Sequence, residues 1–316
     1  MKLAKKLEFM TKRTLLSLFL LLLVFPLPAM VLAQLKSGQN DTAKNQREIT
    51  LTNVKQVARL TGNPLNAEVF PSPNSTAGDY DVGGTDLGIF WTMDSSRVGI
   101  FFGDTKGSDF RAGKGGGNGS NWRSNVLAFS NDVNLEDGLT ISSMALDSNG
   151  KAREICAGAK NNPGKYNTSI PTAAIRAAGV DYVHYMNIYE WAGGNGRWLT
   201  NFSSLYASYD QGDTWERKKQ ITFKPDSKFS QICYAKRNGI VYMIGTQAGR
   251  GSAAFLARFK EEDIEEIGKY QYWNGDLKQW VRNKEHAATA VIPGPVGEAS
   301  LIYHEKYERW IIAYKL

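Results

Sequence analysis

The chain has 316 residues, with 38 Lys+Arg against 31 Asp+Glu, a net charge of +7, two cysteines and 31 glycines. With 22% charged and 42% hydrophobic residues, it is neither a mainly disordered chain nor a multispanning membrane protein. Two cysteines exclude a disulfide-dense scaffold and a thiolate zinc cluster.

The first element in chain order is a targeting segment. Lys2, Lys5, Lys6, Lys12 and Arg13 precede an apolar run at 15–25, and Val31 and Ala33 are small residues placed for a cut before Gln34. This pattern predicts a secretory signal peptide over 1–33, cleaved near Ala33. The run is shorter than the roughly 20 residues that span a bilayer. Removing 1–33 takes away five basic groups and one acid, so the net charge falls from +7 to about +3. The positive excess is largely an export signal, and no basic tract suited to nucleic acid remains. Residues 34–52 are polar and read as a flexible linker, and 53–316 as the folded body. Export makes a disulfide between Cys156 and Cys233 chemically allowed; two buried free thiols are an equal expectation.

From residue 51 onward, short β-rich runs alternate with Gly, Asn and Asp, which argues for an all-β fold. The strands group at 84–146, 170–223 and 230–280, and a further unit begins at 298–304 and 309–315. Four-stranded units at a spacing of about 50–60 residues predict β-propeller blades. The best helix signal, at 261–267, is short and acidic and is expected to be a loop turn. The stretch Ser208-x-Asp210-x-Gly212-x-Thr214-Trp215 fits the Asp-box of sialidase-type propellers. There Asp210 accepts hydrogen bonds from loop amides, Gly212 permits a tight hairpin and Trp215 packs into the blade, a structural role.

Asp86 and Asp104 flank a hairpin whose turn lies at 92–96. A hairpin centred near residue 95 places them opposite each other on one face. Like charges there destabilise unless compensated, and two neighbouring carboxyls suit acid–base glycoside hydrolysis. The competing expectation is that each Asp only caps a turn. Trp122 and Arg123 follow a glycine-rich loop at 113–120 and are candidates for sugar stacking and hydroxyl donation, with Asn125 beside them. Trp191 flanks another glycine-rich turn, with Asn187 and Asn201 nearby. Arg250 follows a strand, and Glu298 precedes an inner strand, where an axial carboxylate belongs. The histidines His184, His286 and His304 lack metal-ligand spacing, and His184 is expected in the core. No metal or cofactor is implied.

Taken in order, Val57-Ala58-Arg59-Leu60-Thr61-Gly62, the segments 82–88, 102–105 and 122–127, the Asp-box and Pro295-Val296-Gly297-Glu298 resemble a bacterial secreted family of endo-D-arabinanase-type glycoside hydrolases, long carried as a domain of unknown function. The resemblance covers about residues 53–316. It implies a five-bladed β-propeller that hydrolyses internal D-arabinofuranosyl linkages of cell-wall arabinan with inversion. It implies Asp86 as general base and Asp104 as general acid, with the exchanged assignment open. The partner implied is a polysaccharide, without nucleic acid or a stable membrane anchor. Against that family the chain stops early. An incomplete ring of about three and a half blades is expected, with 54–60 as the outer strand of the last blade. Competing readings are a sugar-binding propeller without catalysis and a sialidase-like hydrolase. The latter favours an arginine cluster, which Arg123 and Arg250 alone do not make.

Overall fold

A computed structural model describes residues 50–94, 96–113, 116–157, 168–192 and 196–316. The expected signal peptide and nearly all of the linker lie outside the described residues, as do parts of both glycine-rich loops.

A short helix, α1 (Thr76–Tyr80), precedes the strands. The first sheet opens with β1 (Gly84–Thr85) and β2 (Ile89–Thr92), which run against β3 (Val98–Phe102) and β4 (Thr105–Lys106). With β5 (Val126–Ser130) and β6 (Ser143–Met144) the order is β2-β3-β5-β6. The second sheet runs in chain order through β7 (Thr168–Ala177), β8 (Val180–Glu190), β9 (Leu199–Ser208) and β10 (Glu216–Phe223). The third comprises β11 (Gln231–Arg237), β12 (Ile240–Thr246), β13 (Ser252–Lys260), β14 (Gln271–Asn274) and β15 (Gln279–Arg282), with β16 (Ala290–Val296) also paired to β13. The fourth is the hairpin β17 (Ala299–His304) and β18 (Arg309–Tyr314).

Local chemistry explains these hairpins. Asn238-Gly239 joins β11 to β12 with φ of 51° and 71°, and Arg237 pairs with Ile240 across this two-residue turn. Positive φ at both positions matches the turn to the strand twist, and Asn-Gly adopts it at low cost. Strands in the middle of the stack are buried on both faces and so carry apolar runs without strict alternation. In β7, Ala174 packs toward Trp91, Phe101 and Leu127 of the first sheet. Its neighbours Ala173 and Ile175 pack toward Ile232 and Met243 of the third. Cys233, Ile244 and Val296 of the third sheet meet Ala299 and Leu301 of the fourth. The first strands β2, β7, β11 and β17 pack in succession. This all-β, propeller-like stack of antiparallel meanders follows the expected strand groups.

Two expectations change, and the cysteines take one of their two expected states. Residues 54–60 form no strand: Arg59 N–H donates to the Pro71 carbonyl at 2.8 Å, and Leu60 packs on the outer face of the first sheet. The third sheet is larger than a four-stranded unit, because β15 and β16 both add to it. Cys156 and Cys233 are buried free thiols. They belong to different clusters, one between the first and second sheets and one between the third and fourth. The acidic stretch after β13 forms two short 3-10 turns, Glu261–Asp263 and Ile267–Lys269, as its length predicts.

Candidate active site

In an antiparallel meander, the start of the first strand and the end of the second share one edge. Asp86 precedes β2, Asp104 follows β3, Trp191 follows β8, Arg250 follows β12 and Glu298 precedes β17. All five therefore lie at one end of their sheets. The Asp-box, between β9 and β10, lies at the other.

The register of the first hairpin is the one its spacing predicts. Ile89 faces Phe101, Thr92 faces Val98 and Thr85 faces Thr105. Between these two ladders the Asp86 backbone meets Gly103, whose N–H donates to the Asp86 carbonyl at 3.0 Å, and the Asp104 backbone N–H donates to the Asp86 carboxyl. Between β1 and β2 the ladder breaks at Leu87, whose φ of 62° is left-handed. Such a conformation is uncommon for leucine and costs about 1–3 kcal/mol. Gly103 makes room for the acid: a Cβ there would stand 2.2 Å from Asp86 Oδ1.

The two carboxyls differ in environment. Burial among protein atoms pushes Asp86 up to about 7, helped by the negative charges of Asp104 and Glu298, although the Asp104 backbone N–H donates to it. Its side chain still reaches solvent. Asp104 Oδ1 accepts hydrogen bonds from Trp122 Nε1 and from Thr168 Oγ1, both at 2.9 Å. Trp122 thus belongs to the site, holding Asp104 rather than presenting a free indole N–H. Thr168 and Gly103 went unseen in the sequence. Thr168 opens the first strand of the next sheet, and only the packing of sheets brings it to Asp104.

Glu298 pairs with Arg250 through contacts of 2.8 Å and 3.1 Å to Nε and 2.5 Å to Nη2. Burial opposes ionisation of Glu298, but this pairing holds it below the ordinary carboxylate range. The Arg250 guanidinium lies 5.4 Å from the Trp198 ring centroid, and Trp198 meets Trp191 edge-on at 5.9 Å. Trp191 is half exposed and stands at the margin of the site. A cavity of about 440 Å³, lined by Trp198, Leu199, Gln247 and Ser252 among others, adjoins this aromatic pair.

Arg123 and Asn125 are not brought to the acids. Arg123 is 5% exposed, and its guanidinium donates to the carbonyls of Ala152 at 3.1 Å and Asp81 at 2.7 Å. Asn125 is fully buried. It donates to the carbonyls of Cys156 and Ser169 and accepts from the amides of Ile155 and Cys156. Both tie the first sheet to its surroundings, which corrects their expected place at a sugar.

The Asp-box is structural. Ser208 Oγ donates to Asp210 Oδ1 at 2.9 Å, the Thr214 amide donates to the same oxygen at 2.8 Å, and Trp215 Nε1 donates to the Gly212 carbonyl at 3.0 Å. Trp215 packs edge-on against Trp91 and Phe101, and Gly212 lies against Phe129, so the hairpin docks the second sheet on the first. His184 is a buried core residue against Phe223, as expected, and burial pulls its pKa down to about 3.

Fold and site together define an all-β, propeller-like protein with two neighbouring carboxyls at one end of its first sheet. Residues 71–316 match the family described as Domain of unknown function (DUF4185), and the chain belongs to it. No curated protein matches the chain. Among solved structures it is similar to a candidate hydrolase from Bacteroides ovatus, with 10% identity, a TM-score of 0.45, and coverage of 72% of this chain and 62% of that one. It is also similar to an α-L-arabinofuranosidase from Lactobacillus brevis, with 10% identity, a TM-score of 0.39, and coverage of 74% and 67%. An endo-arabinase from Bacteroides thetaiotaomicron aligns with 13% identity, a TM-score of 0.38, and coverage of 78% and 74%. The chain thus spans less than two thirds of the length of the first of these.

Proposed function

We propose that this chain is an exported glycoside hydrolase that cleaves internal arabinofuranosyl linkages of a cell-wall arabinan, with Asp86 as general acid and Asp104 as general base. The observation that carries the reading is the pair itself: two neighbouring carboxyls on one hairpin, with Asp86 raised to about 7 by burial and neighbouring charge yet open to solvent, and Asp104 held by Trp122 and Thr168. A general acid must hold its proton near working pH and still be open to substrate, and a raised, solvent-open carboxyl such as Asp86 suits both needs. Trp122 and Thr168 hold the Asp104 carboxylate in place, as suits a group that must accept a proton in a set direction. These environments favour the exchanged assignment over the one the sequence first implied.

In the proposed reaction Asp86 protonates the glycosidic oxygen as the C–O bond breaks. Asp104 takes a proton from a water that attacks the anomeric carbon from the opposite face, which inverts its configuration. The sugar class and the inversion come from the sequence resemblance, and export from the N-terminal pattern.

The test is incubation with mycobacterial-type arabinogalactan and with plant arabinan. Expected products are oligosaccharides of several lengths, and the first anomer seen by NMR is the inverted one. Asp104→Asn is expected to remove the activity while the fold survives. A folded protein that releases no product from any arabinan sinks the reading.

A further inference from the structure

We infer that Leu87 is a positioning residue for the proposed acid: its left-handed backbone folds the side chain over Gly103 and beside the Asp86 carboxyl, walling that carboxyl from water on one side. This rests on the reading of Asp86 as general acid and gives a role to a residue that the sequence did not single out.

Leu87 has a φ of 62°. In that conformation the Cβ of an L-residue crowds the following carbonyl oxygen, and glycine or asparagine adopts it at lower cost. Residue counting does not demand it. Thr85 faces Thr105 and Ile89 faces Phe101, with three residues between these pairs on each strand. The left-handed turn therefore absorbs no inserted residue. Leu87 is also 40% exposed, so its side chain is not spent on the core. Its position over Gly103 is what distinguishes it. A Cβ added at Gly103 would stand 2.2 Å from Asp86 Oδ1 and 3.0 Å from Leu87 Cδ1. Carboxyl and leucyl side chain thus converge on one space, which glycine at 103 leaves open to both. A costly conformation kept beside a reacting group points to a role there.

An apolar neighbour withholds water from a carboxyl and offers it no hydrogen bond, so it disfavours the charged form. Burial is the leading cause of the raised Asp86 carboxyl. The charged groups that act on Asp86 are Asp104 following β3, Glu298 preceding β17 and Arg250 following β12, and the last two pair with each other. A substitution at Leu87 leaves all three in place, so its effect isolates the apolar cover.

The experiment titrates the Asp86 carboxyl by carbon-13 NMR in the full chain, its resonance identified by loss in Asp86→Asn. The titration is repeated in Leu87→Gly and Leu87→Asn. Both substitutes adopt the left-handed conformation, so each variant is expected to fold with an unchanged or higher melting temperature. The midpoint is expected to fall by about one pH unit, a tenfold loss of proton affinity. A midpoint moved from about 7 to about 6 lowers turnover at pH 7 about fivefold and leaves turnover at pH 5 at the wild-type value. A purely structural role would lower turnover at both pH values alike. Leu87→Met, which keeps the apolar cover, is expected to keep midpoint and rate. A wild-type midpoint in folded Leu87→Gly and Leu87→Asn overturns the inference and leaves the hydrolase reading standing. A lowered midpoint in a protein whose wild type cleaves no arabinan overturns the hydrolase reading alone.

Discussion

Replacing Asp86 by Asn keeps the size of the side chain and removes its charge, so one substitution reports on both stability and catalysis. In the unfolded chain this carboxyl ionises near 3.8, and in the folded protein near 7. Between those values the folded state holds a proton that the unfolded state has lost, so stability falls as pH rises through the window and stays lowered above it. At about 1.4 kcal/mol for each tenfold change in proton affinity, the full shift corresponds to about 4 kcal/mol. Asp86 keeps contact with solvent, which screens the effect to about 1–2 kcal/mol. Asp86→Asn should therefore raise the melting temperature at pH 8 by about 3–6 °C and change it little at pH 4. Circular dichroism melts at both pH values measure this. The same variant should lose about 10²–10⁴-fold in turnover, the usual worth of a general acid. Identical melting temperatures for variant and wild type at pH 8 would refute the claim that burial and neighbouring charge raise this carboxyl. Stabilisation with full activity would separate the strained acid from the chemistry.

Five further outcomes follow from the same geometry. Activity should fall as pH rises through about 7, where Asp86 loses its proton. Glu298→Gln should move that fall to lower pH, because it removes a negative charge and leaves Arg250 unpaired; an unmoved pH–rate profile would exclude the coupling. Gly103→Ala should cost about 1–3 kcal/mol and at least tenfold in kcat, because its Cβ meets the Asp86 carboxyl; a denaturant melt and a rate measurement suffice. Arg123→Met should lower stability by about 1–3 kcal/mol by abandoning two backbone carbonyls. An unchanged KM in the surviving folded enzyme would support its placement away from substrate. Trp215→Ala should cost about 2–3 kcal/mol through lost packing on Trp91 and Phe101, and a raised KM without destabilisation would contradict its structural role.

Much of the fold was legible because its signals are local. Turn residues and β-rich runs placed β7 to β14 and β17 to β18 nearly where they stand, since a two-residue turn such as Asn238-Gly239 depends only on its own dihedrals. The placing of Asp86 and Asp104 at the open end of one hairpin was equally local. It needs only the centre of one hairpin, and the ladder keeps that register even across the break at Leu87. The short strands β15 and β16 lacked such signals, and 54–60 resembled a strand without finding a partner.

The site beyond the pair was decided elsewhere. Trp122 and Arg123 were both expected at substrate, yet adjacent residues of an extended segment point to opposite faces. Arg123 pairs with Thr105 as an isolated bridge, so when Trp122 turns to Asp104, Arg123 turns to the carbonyls of the core. Asn125 shares the parity of Arg123 and goes with it. The sequence by itself determined most of the strands, their hairpin neighbours and the hairpin that carries Asp86 and Asp104, because dihedral preference and hairpin register act over a few residues. Only the tertiary structure decided that Thr168 reaches Asp104, that Arg250 meets Glu298 and that burial and neighbouring charge raise the Asp86 carboxyl. Desolvation and charge fall off over a few ångströms of space, and the groups that matter to Asp86 stand up to about two hundred residues away along the chain.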